Sequence, residues 1–86
     1  FEQLGCAQYL MHRTGHNIGH RCHGIGANLD DYETHDDRCL LPGTMFSIEP
    51  GLYTDKYGVR LEYDVHITSE GETKVYGPVQ DEILVI

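Results

Sequence analysis

Four histidines, His12, His16, His20 and His23, fall within the stretch MHRTGHNIGHRCHG at residues 11 to 24, together with three glycines and no acid. Imidazoles at this density can bind a divalent cation, carry a proton near neutral pH, or simply lie in a loop. His12, His16 and His20 recur every four residues, which on a helix would make one metal-binding face. Gly15, Gly19, Gly24 and Gly26 oppose a continuous helix, however, and no HExxH pattern is present. Carboxylates elsewhere must therefore decide. Glu49 stands between Ile48 and Pro50 in an apolar run, where a carboxylate is costly to bury without a partner. Glu62 shares a strand face with Arg60 and Asp64. If these two runs are hairpin neighbours, Glu49 and Glu62 project to one side of a sheet. One histidine from the opening run then completes a His/Glu/Glu set suited to manganese, cobalt, iron or zinc. The competing reading puts Glu62 on a solvated face, paired with Arg60 or Lys56.

The elements that must position these groups follow from periodicity and turn chemistry. Residues 1 to 11 read as the end of a helix, with Phe1 and Leu4 at helical spacing. Residues 12 to 26 read as strand and turn. Residues 28 to 38, NLDDYETHDDR, hold five acids and little apolar character, the composition of an exposed loop. Pro42 and Gly43 then turn the chain into two β-like runs, TMFSIEPGLY and YGVRLEYDVHIT, joined by the polar turn TDKYG. In the second run Val59, Leu61, Tyr63, Val65 and Ile67 take one face, leaving Arg60, Glu62, Asp64 and His66 on the other. A further hairpin turn at SEGE leads into TKVYG, and DEILVI is a final strand or a tail. The expected fold class is α+β: one curved antiparallel sheet with a helix end at the N-terminus.

Composition narrows the partners. With 86 residues the chain is one small domain, marginal in stability without a metal, disulfides or a partner. It opens on Phe1 in what reads as a helix without an entry cap, so it is expected to be a C-terminal piece, residues 1 to 86, of a longer catalytic domain. A formal net charge of −8, without a Lys/Arg cluster, argues against nucleic acid and anionic membranes as partners. Cys6, Cys22 and Cys39 are odd in number and form no CxxC pair, which argues against a disulfide framework or a zinc knuckle. Cys22 and Cys39 read as small buried or half-buried residues with nothing to activate a thiol. Reduced thiols make a cytoplasmic location the expectation.

The three motifs HRTGHNIG followed by His23, PGTMFSIEPGLY, and GVRLEYDVHIT resemble, in order and spacing, the C-terminal half of the pita-bread metallopeptidases. Within that family EPG and VRLEYD are similar to the Xaa-Pro dipeptidase and aminopeptidase P branch rather than to methionine aminopeptidase. The resemblance implies a pita-bread (creatinase/aminopeptidase) fold and His16, Glu49 and Glu62 as metal ligands. It implies two divalent ions, manganese first and cobalt or zinc as alternatives, with Glu62 bridging them. Glu49 and His23 would be catalytic, Glu49 exchanging a proton with the attacking water and His23 donating to the peptide as its carbonyl turns tetrahedral. His12 and His23 would face the substrate, and Arg60 would line the site. Two ions sharing carboxylates lower the pKa of a water and polarise a carbonyl. The substrate would be a peptide cleaved near its N-terminus with proline after the scissile bond, and the parent could be a homodimer.

Two departures bear on this. The family's dinuclear site also draws on two upstream aspartates, and nothing before His12 supplies them, so the isolated chain is expected to have little peptidase activity. His20 and Arg21 are polar where the family usually has an apolar residue. Two other function classes stay in view: a pita-bread relative that kept the fold as a binding or interaction module, and a freestanding metal-binding domain. His20, His35 and His66 have no matching role and read as ordinary surface or strand-face histidines, and Asp64 is either a partner to a ligand or a turn cap.

Overall fold

The computed structural model describes residues Phe1–Ile86. It contains six strands: β1 (Asn17–Ile18), β2 (Met45–Ile48), β3 (Gly51–Tyr53), β4 (Gly58–Arg60), β5 (Tyr63–Ile67) and β6 (Thr73–Tyr76). A four-stranded sheet has the order β1-β2-β5-β6, and β3 and β4 form a separate two-stranded ladder. Every pairing is antiparallel.

The start of the chain differs from the helix expected there. Residues 2 to 5 are turns, Gly5 has φ +67°, and a single 3-10 turn follows at Ala7–Tyr9. The left-handed conformation at Gly5 stops any helix after one turn. Leu10 then makes an isolated bridge to Leu52, which lays this segment against β3.

The two long β-like runs are each broken in the middle, at Glu49–Pro50 and at Leu61–Glu62. Proline at position 50 has no N–H to give a ladder, which accounts for the break. The register nevertheless continues unshifted across the gap. Ile48 faces Tyr63 on one side of it and Gly51 faces Arg60 on the other. Glu49 therefore stands opposite Glu62 on the backbone, meeting the hairpin-neighbour condition. The expected single apolar face from Val59 to Ile67 breaks at the same point. Val65 is 2% exposed while Val59 is 50% and Leu61 41% exposed, because β4 lies in the two-stranded ladder and β5 inside the larger sheet.

Both predicted hairpin turns, TDKYG and SEGE, join their strands as expected, whereas DEILVI forms no strand and is exposed. The apolar core is small: Phe46 and Val65, paired across β2 and β5, with Ala27. The acid-rich loop departs from a purely solvated run. Asp30 accepts from the backbone N–H groups of Thr14 and Gly15, and Asp36 accepts from the N–H of Asn28 at 2.9 Å. Asp30 thus ties the loop to the histidine segment, while Asp36 closes the loop on its own first residue. Its other acids are exposed, and Asp31 pairs with His35 there.

Candidate active site

The site is assembled by pairing residues 14 to 18 alongside β2. Asn17 faces Phe46 in the ladder, which puts His16 beside Ser47. The Ser47 N–H donates to the His16 carbonyl at 2.9 Å and the Glu49 N–H to the Thr14 carbonyl at 2.6 Å. This approach requires Gly15, since a Cβ there would collide with the Ser47 carbonyl and lie 2.8 Å from Leu29 Cδ1. Ser47 and Glu49, two apart on an extended chain, point to one side, the side His16 occupies.

The side chains then lock. The His16 N–H donates to Ser47 Oγ at 3.1 Å, and Ser47 Oγ donates to Glu49 Oε1 at 3.1 Å. His16 Nδ1 lies 3.0 Å from the Asn17 carbonyl. A carbonyl oxygen only accepts, so Nδ1 carries a proton, and in the neutral form of the ring the lone pair is at Nε2. That lone pair faces Glu49 Oε1 at 3.1 Å, with both side chains mostly buried, 10% and 14% exposed. Two acceptors this close repel unless a cation, either a second proton on the ring or a metal, lies with them. The donor set, one imidazole nitrogen and one carboxylate with the imidazole oriented by a backbone carbonyl, fits a divalent transition metal.

A cavity of about 480 Å³ opens over this pair, and none of its nine lining residues is apolar. His12, His23 and Arg60 line it with His16 and Glu49, so five of the six residues singled out from the sequence meet in one place. The sixth, Glu62, opposes Glu49 on the backbone but is exposed and lines the adjoining cavity, with Arg60 as the wall common to both. Arg60 places a guanidinium nitrogen 3.7 Å from Glu49 Oε2. Glu62 is exposed, as the competing reading had it, but its ion pair with Arg60 or Lys56 does not form; Arg60 lies beside Glu49 instead, the more buried carboxylate.

His12 is held by both ring nitrogens. Nδ1 donates to the Arg13 carbonyl at 2.8 Å, and Nε2 accepts from the Tyr53 hydroxyl at 2.9 Å. Tyr53, Ser47 and Asn17 all shape the site and were not singled out from the sequence. Asn17 anchors the histidine segment by donating from Nδ2 to the Met45 carbonyl at 3.2 Å and accepting from the Gly26 N–H at 3.0 Å. The one available signal was position: each lies inside one of the quoted motifs. His23 is exposed and stacks at a tilt on His16, their ring centroids 4.3 Å apart. Cys22 and Cys39 are exposed rather than buried, because the loops carrying them run over the surface.

The sequence profile of metallopeptidase family M24 matches residues 1 to 69. The chain belongs to this metallopeptidase family. Among its relatives, a "Probable dipeptidase PepE" of Mycobacterium bovis is 39% identical over 75 residues, which is 85% of this chain and 19% of the relative. A "Putative dipeptidase YkvY" of Bacillus subtilis is 36% identical over 74 residues, 81% of this chain and 18% of the relative. Among solved structures, dipeptidase PepE from Mycobacterium ulcerans superposes with a TM-score of 0.80 at 31% identity, over 96% of this chain and 21% of that one. An Xaa-Pro dipeptidase from Bacillus anthracis gives 0.75 at 32% identity, over 99% of this chain and 23% of that one. The metallopeptidase chain thus spans about a fifth of the length of the relatives it matches. Its sheets share their fold with the corresponding part of those dipeptidases.

Proposed function

We propose that this chain forms part of the catalytic domain of a metal-dependent exopeptidase of pita-bread fold that hydrolyses the N-terminal Xaa-Pro bond of peptides. The observation that carries the reading is the oriented pair of His16 Nε2 and Glu49 Oε1, 3.1 Å apart under a polar cavity. His16, Glu49 and Glu62 would hold divalent metal, two ions in the whole protein, manganese being the first expectation and cobalt or zinc the alternatives. When bound, the metal supplies an acidified water and polarisation of the scissile carbonyl.

The chain's own residues do the rest. Glu49 takes a proton from the attacking water at Oε and returns it to the leaving nitrogen. Arg60 sets a guanidinium nitrogen 3.7 Å from that carboxylate and forms a cationic wall beside it. Exposed His23 can donate to the carbonyl oxygen as negative charge develops on it. His12, oriented by the Arg13 carbonyl and Tyr53, gives the cavity a fixed polar wall for the peptide. The remaining ligands, two aspartates in the resemblance drawn above, would come from the rest of the protein. The isolated chain is accordingly expected to turn over an Xaa-Pro dipeptide no faster than buffer.

Calorimetric titration of manganese and of zinc into the purified chain tests the reading. Manganese binding is expected, and both His16→Ala and Glu49→Gln should remove it. Absence of binding, or binding indifferent to both substitutions, would overturn the proposed donor set. The alternative of a pita-bread binding module gains nothing from a carboxylate and an imidazole turned inward on each other, since that pairing is costly without a cation.

A further inference from the structure

We infer that His16, Cys22 and His23 form a second donor set, a three-ligand site for a soft divalent cation such as zinc. One ligand atom from each of the three residues lies within 4.8 Å of the other two. The loop that brings them together is closed at its base. The Gly24 N–H donates to the Asn17 carbonyl at 2.8 Å, and the Gly19 N–H to the Arg21 carbonyl at 3.1 Å. Residues 19 to 24 therefore fold back over His16, which is why His23 stacks on it. Bond lengths of about 2.0 Å to nitrogen and about 2.3 Å to sulfur require these atoms to close by roughly 1 Å. The exposed loop can move that far, because neither the Cys22 nor the His23 side chain makes a hydrogen bond that would resist.

The chemistry differs from that of the His16/Glu49 pair. A thiolate with two imidazoles selects zinc, cobalt(II) or cadmium over manganese, magnesium and calcium, which prefer oxygen. On binding, the Cys22 thiol loses its proton to solvent and forms a metal–sulfur bond, with no change of oxidation state. Three protein ligands leave the fourth position to water. The inference stands on the loop geometry and does not need Glu49. It does share His16 with the proposed catalytic donor set, so one imidazole cannot serve both cations at once.

Cobalt(II) titrated into the reduced 86-residue chain under nitrogen provides the test. A near-ultraviolet sulfur-to-cobalt charge-transfer band is expected. It should be lost in Cys22→Ser and in His16→Ala, and retained in Glu49→Gln, Cys39→Ser and His20→Ala. Glu49→Gln separates the two readings, since it should abolish manganese binding while leaving this band. His20→Ala distinguishes the folded cluster from chelation by an unfolded HRCH segment. The inference fails if the chain shows no band, if the band survives Cys22→Ser, or if it depends on His20 or Cys39 rather than on His16.

Discussion

Ser47 is fully buried, and it connects the backbone of one proposed ligand to the carboxylate of the other. Removing its hydroxyl leaves the buried His16 N–H without an acceptor and Glu49 without a donor. Ser47→Ala should cost about 1 to 3 kcal/mol in urea unfolding. Because the hydroxyl orients the carboxylate of a proposed ligand, the same substitution should weaken manganese binding by about 10- to 100-fold in calorimetry. An unchanged affinity would mean that Glu49 is positioned by its backbone alone. At this scale the sequence was informative where residue type is demanding. An inward glutamate beside Pro50 could be singled out by the chemistry it implies, whereas the choice of His16 among four histidines, and of Arg60, rested on the motif resemblance. Ser47, Asn17 and Tyr53 were not legible, because serine, asparagine and tyrosine are common in strands and turns. Their roles arise only from the register that brings them against His16 or His12.

The strands themselves were legible from alternation and from the Pro42–Gly43, TDKYG and SEGE turns, but their partition into two ladders was not. That partition follows from Pro50 and from which strand finds a neighbour on its far side, a tertiary outcome that period-two patterning does not encode. The close pass of residues 14 to 18 over β2 is the element on which the site rests. Gly15→Ala sets a methyl against the Ser47 backbone as well as the Leu29 side chain, and should destabilise the chain by roughly 2 to 3 kcal/mol in urea unfolding. The acid-rich loop contributes a pH dependence of its own. The Arg38 guanidinium, bonded to both Asp36 oxygens at 2.8 Å, and then the Asn28 N–H hold the Asp36 carboxyl well below the usual carboxylate range. Arg38 also donates to the carbonyls of Ile25 and Gly26, so this pair pins the loop to the histidine segment. A lowered native pKa means that the unfolded state binds the proton more readily. The contribution is therefore complete above the ordinary aspartate range near pH 3.8 and is lost as pH falls through and below it. Acid unfolding followed by circular dichroism should shift to lower pH for the native chain than for Asp36→Asn. Identical acid midpoints would show the pair to be inert.

At the scale of the whole molecule, three buried apolar side chains make a core too small to expect more than marginal stability. Ile83, Leu84, Val85 and Ile86 are all more than 80% exposed, so they add nothing to that core. Deleting residues 83 to 86 should change the urea midpoint within error while reducing self-association, measured by sedimentation. A clear loss of stability would show that the tail packs. Metal should matter more. At a hundredfold excess over its Kd, a cation bound only to the folded state adds about 2.7 kcal/mol, a large fraction of what a chain this size can have. The donor sets also carry a kinetic consequence. The β3–β4 and β5–β6 hairpins close short turns, whereas β1 reaches β2 only after the whole stretch from residue 19 to 44 has been looped out. Short-range pairings form in microseconds, and long loops close against a larger entropy. His16 is thus expected to meet Glu49 late in folding. A metal that needs both residues cannot act as a nucleus; it slows unfolding and leaves the refolding rate unchanged.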